Sequence, residues 1–409
     1  MRRAFLQPPD PPPRADPRDA DGGGGAAGRH RPRVHARGCR TVSARLAPSR
    51  RLRRTPFSDG VEAAGVSAYT VYNRMLLPAA FESVEADYRH LKDHVQLWDV
   101  SAERQVELRG PGAVQLLKVL TPRDLSKLRL NRGLYIPVVD ADGGMLNDPV
   151  LLQVDADAFW VSIADSDLLL WIKGLAIAHG FDLTVSEPDV SPLAVQGPKA
   201  EALMARVFGD AVCDLRFFGA GRFRFRDHDF VVTRSGYSKQ GGFEIYVEGH
   251  ARGMPLWEAL MEAGADLEVR AGCPNLIERI EGGLLSYGND MTTANSPLEC
   301  GLDRYVDAGR LDHCIGGAAL AAQRETGPAR RIRPIAIEAD SLPPCDRAWP
   351  LYVGAAHVGQ ITSAAISPDF GGGVAIGMVS RGHWDAGAEF EVETQAGRYR
   401  AVIRDGFWA

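Results

Sequence analysis

Three short stretches place polar side chains where packing alone would not ask for them. In "ADGGMLNDPV" (141–150), Gly143 and Gly144 form a tight turn, while Pro149 holds φ and lacks an N–H. Asp148 therefore sits at a strand entry on a restricted backbone. Asp is a common turn residue, but a carboxylate held this way can also be offered to a ligand, and the stretch leaves both readings open. In "RSGYSKQGGFEIYV" (234–247), a glycine-rich polar loop runs into a strand on which Glu244 and Tyr246 share one face at period two. A glutamate between Phe243 and Ile245 points either to solvent or to a ligand. In "IERIEGGLLSYGNDM" (277–291), a helix bearing Arg279 and Glu281 enters a glycine-rich turn that contains Tyr287. Each stretch taken alone is accounted for by structure. Their chemistry, if any, depends on being brought together.

The intervening elements do imply an arrangement. "VELRGPGAVQLLKVL" (106–120) and "LAVQGPKAEALMARV" (193–207) share one plan: a strand, Gly-Pro, then a helix with apolar residues at helical spacing. Pro111 and Pro198 suit a first helical turn, and the repetition predicts two similar α/β units packed together. Residues 133–164 alternate strand runs with Asp-Gly turn signals, which predicts a β-meander. From about residue 331, short strands split by turns predict a small β-barrel or sandwich. "FESVEADYRHLKDHVQLWDVS" (81–101) reads as a surface helix running into a strand. His90 and His94 are one turn apart on it, a spacing that could ligate a metal, but no neighbouring segment supplies further ligands, so no metal is expected.

Composition narrows the function classes. The net charge of −5 is uneven: residues 1–54 hold fourteen Arg, no Lys and four Asp, so the rest of the chain is strongly acidic. An acidic body does not suit nucleic acid, whose binding rests on neutralising phosphates. Residues 1–48, with "PPDPPPR" and "GGGG", bury too little apolar surface to offset ordering entropy and read as a disordered extension. The six cysteines are scattered without a C-x-x-C, which argues against zinc and disulfides and fits a cytoplasmic protein. No apolar run approaches the ~20 residues of a membrane span. Arg2-Arg3 is followed by prolines rather than the apolar run of an export signal.

Taken together and in order, the three stretches resemble the aminomethyltransferase (GcvT) superfamily of tetrahydrofolate-dependent enzymes. The family pattern is a Gly-Gly-x-x-x-Asp turn, an Arg-x-Gly-Tyr…Gly-x-Glu segment and an Arg-x-Glu-x-Gly…Tyr-Gly-Asn-Asp segment. Gly143 to Asp148, Arg234 to Ile245 and Arg279 to Asp290 match it, and "VGQITSAAISP" with "VAIGMV" match its C-terminal signature. The resemblance covers roughly residues 53–409. It implies an α+β fold: a cloverleaf of two related α/β domains around a central folate-binding hole (49–330), followed by a C-terminal β-barrel or jelly-roll domain (331–409).

Within the superfamily, "AYTVYNRMLLP", "WDVSAERQVELRGP", "GGMLNDPV" and "FWVSIADSDLLLW" resemble the branch that demethylates dimethylsulfoniopropionate. That branch uses tetrahydrofolate as co-substrate and a small sulfonium as methyl donor. The resemblance then assigns Asp148 to catalysis, and Tyr135, Ser162, Glu244, Tyr246, Arg279 and Tyr287 to folate. Tyr72, Trp160, Tyr237 and Lys239 are assigned to the substrate, with core packing an equal reading for Trp160. Lys239, Arg234 and backbone N–H groups all remain candidates for the substrate carboxylate. Asn147-Asp148 and Tyr237-Ser238-Lys239-Gln240 each lack a carboxylate found in glycine-cleavage enzymes, which speaks against aminomethyl transfer from a lipoyl carrier protein. A non-catalytic folate-binding protein of this fold would carry a Lys-Gly-Cys-Tyr loop instead. The expected ligands are small molecules, with neither nucleic acid nor membrane, and a homodimer is left open.

Overall fold

The computed structural model describes residues 49–409; the segment read as a disordered extension lies outside the described residues. Two sheets and a barrel account for most of the described chain. The first sheet has the order Thr184–Ser186, Gln105–Arg109, Ala158–Ser162, Val150–Asp155, Gly133–Tyr135, every pairing antiparallel. Helices Ala113–Leu120 and Leu168–His179 cover it through a core that includes Leu108, Leu116, Phe159 and Ile172. The second sheet has the order Ala220–Phe225, His228–Thr233, Gly242–Glu248, Val190–Gln196, Gln96–Asp99, Arg270–Gly272, with only the last pairing parallel. Helices Ala200–Phe208 and Gly253–Ala263 close its core around Leu97, Val195, Ile245 and Leu256.

The two Gly-Pro segments occupy equivalent places, each joining a sheet strand to a covering helix. Both glycines have positive φ (+133° at Gly110, +124° at Gly197), and a Cβ would lie 2.9 Å from the Asp182 carbonyl oxygen at one and 2.3 Å from that of His94 at the other. Close approach of a neighbouring backbone requires the missing side chain. The prolines stand one residue ahead of the helix N-caps Gly112 and Lys199, in the turn and not in the first helical turn. The meander also differs from its expected form. Val138–Val139 and Met145–Asn147 leave the sheet as a separate hairpin before the chain returns to it.

The sheets meet face to face through a small cluster of Leu152 and Trp160 from the first and Val231 and Tyr246 from the second. The C-terminal strands form a closed six-stranded barrel, with Arg330–Ile337 pairing both Gly372–Ser380 and Gly397–Ile403. Polar contacts fasten the barrel to the sheets. The Tyr88 hydroxyl lies 2.8 Å from Glu281 Oε2 and 2.9 Å from Asp369 Oδ2, and Ser367 donates to Glu281 Oε1 at 2.6 Å. Helix Val84–Asp93 is thus more than a surface element: Tyr88, His90 and Leu91 are buried. His90 Nε2 meets the Glu268 carbonyl at 2.9 Å and His94 Nδ1 meets Lys199 Nζ at 2.8 Å, so hydrogen bonding accounts for both rings. Among the described residues no helix is long and apolar enough to cross a membrane.

Candidate active site

Asp148 follows the excursion hairpin, and the glycines explain how that hairpin is held. Gly143 has φ +81°, and a Cβ on Gly144 would lie 2.1 Å from the Thr293 carbonyl oxygen. The turn is pressed against residues 292–295 and bonded to them, with Met145 N–H donating to the Asn295 carbonyl at 2.8 Å. Past the turn, consecutive side chains diverge. Asn147 is fully buried, donating to Ala164 O (3.0 Å) and Ser166 Oγ (2.8 Å) and accepting from Ala164 N–H (3.0 Å). Its amide braces the fold between the hairpin and residues 164–166. Asp148 turns the other way, half-buried, and accepts a 2.9 Å hydrogen bond from the Tyr135 hydroxyl. Burial pushes its carboxyl up to about 7; Tyr135 works against that rise and the more distant Asp290 adds to it.

Glu244 stands in the middle of the second sheet, between Thr233 and Ala194 in register. Its Oε2 accepts from Ser235 Oγ (2.6 Å) and Tyr246 Oη (3.3 Å), with Thr233 Oγ1 at 3.5 Å. Oε1 accepts no hydrogen bond from the described residues, although the side chain is buried. Burial raises this carboxyl and the three hydroxyls pull it back. Ser162, across the seam, accepts from Gln105 Nε2 at 2.8 Å and adjoins the Tyr246 hydroxyl.

Tyr72, Tyr237 and Tyr287 all lie within the electrostatic reach of Asp148. The Tyr237 hydroxyl is anchored on the Leu284 and Leu285 carbonyls (3.0 and 2.8 Å), and Tyr287 donates to the Met145 carbonyl at 3.2 Å. Arg279 is buried and fully engaged, with Asp290 at 2.9 Å, Ser363 at 2.6 Å and the Leu284 carbonyl at 3.3 Å. It joins the helix, the glycine-rich turn and the barrel. Trp160 packs in the seam, its ring 5.9 Å from that of Tyr246 and its indole N–H on Glu107 Oε2 at 3.1 Å. Arg234 is spent on the Cys213 and Leu215 carbonyls and on Glu201 (3.0, 3.2 and 2.5 Å). Lys239 is exposed, its stem over Gly282 and its main-chain N–H on Glu278 at 2.5 Å.

One carboxylate went unnoticed in the sequence. Glu103 lies in the turn between Gln96–Asp99 and Gln105–Arg109, where the chain passes from one sheet to the other. Its charge is felt by Tyr72, Tyr237 and Tyr246, and its own carboxyl is raised well above the usual range by burial, then by Glu244 and Asp148. The sequence signal was weak because Arg104 follows it, which reads as a surface charge pair. In the fold Arg104 binds Glu187 instead.

The site therefore gathers three carboxylates, each with at least one oxygen that accepts no hydrogen bond from the described residues, and several phenols, between two α/β units and a barrel. The family model described as the GCVT N-terminal domain matches residues 57–310, and the glycine cleavage T-protein C-terminal barrel domain matches residues 330–406. The chain belongs to the glycine cleavage T-protein (GcvT) family of folds and enzymes. Among individual relatives, the dimethylsulfoniopropionate demethylase DmdA of Ruegeria pomeroyi is 58% identical over 365 residues, covering 89% of this chain and 100% of that protein. The aminomethyltransferase of Bacillus pumilus is 28% identical over 359 residues, 86% of this chain and 97% of that protein. The crystal structure of aminomethyltransferase T from the glycine cleavage system of Bartonella henselae superposes with a TM-score of 0.78, at 24% identity and over 88% of this chain and 98% of that one. The fold that the resemblance implied is the observed one.

Proposed function

We propose that this protein transfers a methyl group from the sulfonium of dimethylsulfoniopropionate to N5 of tetrahydrofolate, giving 5-methyltetrahydrofolate and methylmercaptopropionate. The observation that carries the reading is the free Oε1 of Glu244 in the same site as a half-buried Asp148 carboxyl poised near neutral pH. The 58% identity to a protein named for this reaction supports it.

Glu244 fits a pteridine. An aminopyrimidinone edge presents N–H donors, and a carboxylate oxygen without a protein partner accepts them in a charge-assisted pair. Ser235, Thr233 and Tyr246 hold the other oxygen and so fix the plane of the carboxylate. Bound there, tetrahydrofolate supplies N5 as methyl acceptor, while the C–S electron pair stays with the departing neutral thioether. The protein's share is chiefly positioning, holding donor and acceptor in line. Asp148 attracts the sulfonium and takes the proton liberated on transfer, a role that suits a carboxyl near 7. Tyr135 selects which Asp148 oxygen is engaged and leaves the other available. Arg279 acts through others, keeping the glycine-rich turn and the Tyr237 anchor in place. The reading includes a cytoplasmic location, in keeping with the scattered cysteines, and needs no nucleic-acid partner.

Purified protein with tetrahydrofolate and dimethylsulfoniopropionate should produce 5-methyltetrahydrofolate, read by mass spectrometry, with no metal, nicotinamide or lipoyl protein added. Production of methylene-tetrahydrofolate from an aminomethyl-lipoyl carrier, with the sulfonium left untouched, would overturn the reading.

A further inference from the structure

We infer that Glu103 is the group that selects a cationic substrate over its neutral counterpart, an inference that rests on the sulfonium reading above. Its backbone is pinned on three sides: Glu103 N–H donates to Val100 O (2.9 Å), the Glu103 carbonyl accepts from Gln105 Nε2 (2.8 Å), and the preceding Ala102 carbonyl accepts from Asn73 Nδ2 (2.9 Å). The side chain, in contrast, makes no hydrogen bond and no ion pair with any described residue. Glu103 is half-buried beside the seam of the two sheets, since Gln105 Nε2, which holds its carbonyl, also donates to Ser162 Oγ at 2.8 Å. The groups whose fields its carboxylate shares are the Glu244 and Asp148 carboxylates and the phenols of Tyr72, Tyr237 and Tyr246. None of them is a cation.

A carboxylate so placed is penalised twice, by lost hydration and by like charge. Among the described residues nothing offsets that penalty, because the adjacent Arg104 is committed to Glu187. A bound cation offsets both penalties, because it is attracted to Glu103 and to the neighbouring carboxylates at once. The other two carboxylates already have duties: Glu244 has its second oxygen tied to three hydroxyls and Asp148 is held by Tyr135. Glu103, tied to no hydroxyl of the described residues, is free to face the positive sulfur alongside the tethered Asp148, among phenol rings that also favour a cation. A neutral thioether, the product of the reaction, gains nothing from Glu103. The same residue that admits the substrate therefore lets the product go.

The test is Glu103→Gln, nearly isosteric and uncharged, with Glu103→Asp as the variant that keeps the charge. Three readouts are needed: KM and kcat for dimethylsulfoniopropionate, Ki for its neutral carbon isostere 4-methylpentanoate, and tetrahydrofolate affinity by titration. Glu103→Gln should raise KM for the sulfonium roughly 10–100-fold, the loss of one charge pair in a poorly hydrated site. It should change kcat less than about threefold and leave folate affinity and the Ki of the isostere nearly unchanged. Glu103→Asp should recover most of the preference for the cation. Equal losses for the sulfonium and the isostere would mean that Glu103 only shapes the pocket and would overturn the inference. So would a loss of folate affinity with an unchanged KM, which would place Glu103 against the pteridine. If Glu103→Gln does not fold, a Glu103→Asp protein that folds yet no longer prefers the sulfonium to the isostere overturns it as well. Wild-type protein that ignores the sulfonium refutes the functional reading itself; wild-type turnover matched by Glu103→Gln refutes only the role of Glu103.

Discussion

Replacing Asp148 by Asn removes a charge and almost no volume, so it separates what the carboxylate does for the reaction from what it costs the fold. Folding raises this carboxyl from 3.8 to about 7, mainly by burial. The folded state therefore holds the proton more tightly than the unfolded chain. Its contribution to stability is complete below the unfolded value and is lost as pH rises through about 7. A rise of about 3 units at 1.36 kcal/mol each sets a ceiling of about 4 kcal/mol, which water at the half-buried carboxyl reduces to roughly 2–3. Asp148→Asn should thus match wild type in urea unfolding at pH 4 and exceed it by about 2–3 kcal/mol at pH 8. Activity should move the opposite way, with turnover at pH 8 falling by the ~10²–10⁴-fold that a positioned proton acceptor supplies. Wild-type kcat should drop about tenfold per pH unit below 7, while the residual rate of the variant stays flat. A variant less stable than wild type at pH 8 would show that the buried charge carries no penalty. A residual rate that keeps the acid limb would assign that titration to another group.

Tyr135→Phe removes the hydrogen bond that holds the Asp148 carboxyl down, so the acid limb of the pH–kcat profile should move to higher pH; an unmoved limb would detach that limb from Asp148. Glu244→Gln should weaken tetrahydrofolate binding by roughly 2–3 kcal/mol in titration calorimetry with little change in melting temperature, since a donor then faces a donor edge. Arg279→Met leaves Asp290 buried without its partner and should cost about 3–5 kcal/mol in denaturant unfolding, a loss that Asp290→Leu in the same chain partly restores.

How far these features could be read beforehand depended on the range of the interaction. Period two placed Glu244 and Tyr246 on one face, and paired glycines marked the turn before Asp148, because both are local backbone properties. The repeated Gly-Pro segments and the strand-rich C-terminal stretch likewise announced two related units and a barrel. Side-chain destinations were not legible. Arg234 goes to Glu201, Arg104 to Glu187, Asn147 to Ala164 and Ser166, and each choice is made by a segment 17 to 83 residues away. Glu103 was hidden for the same reason: its significance lies in what Arg104 does instead of pairing with it.

Asp148 leads into a strand of the first sheet and Glu244 stands within the second, and those sheets touch through Leu152, Trp160, Val231 and Tyr246. The bulk of these four side chains therefore acts as a spacer that sets the span between the two ends of the bound pair of molecules. Leu152 and Val231 have no polar atom to offer a ligand, yet one methylene gained or lost at either alters that span. An ancestral line can in this way lengthen or shorten the donor it accepts while every carboxylate stays as it is. In a family that serves different one-carbon donors, variation in reach is to be sought in these apolar shims.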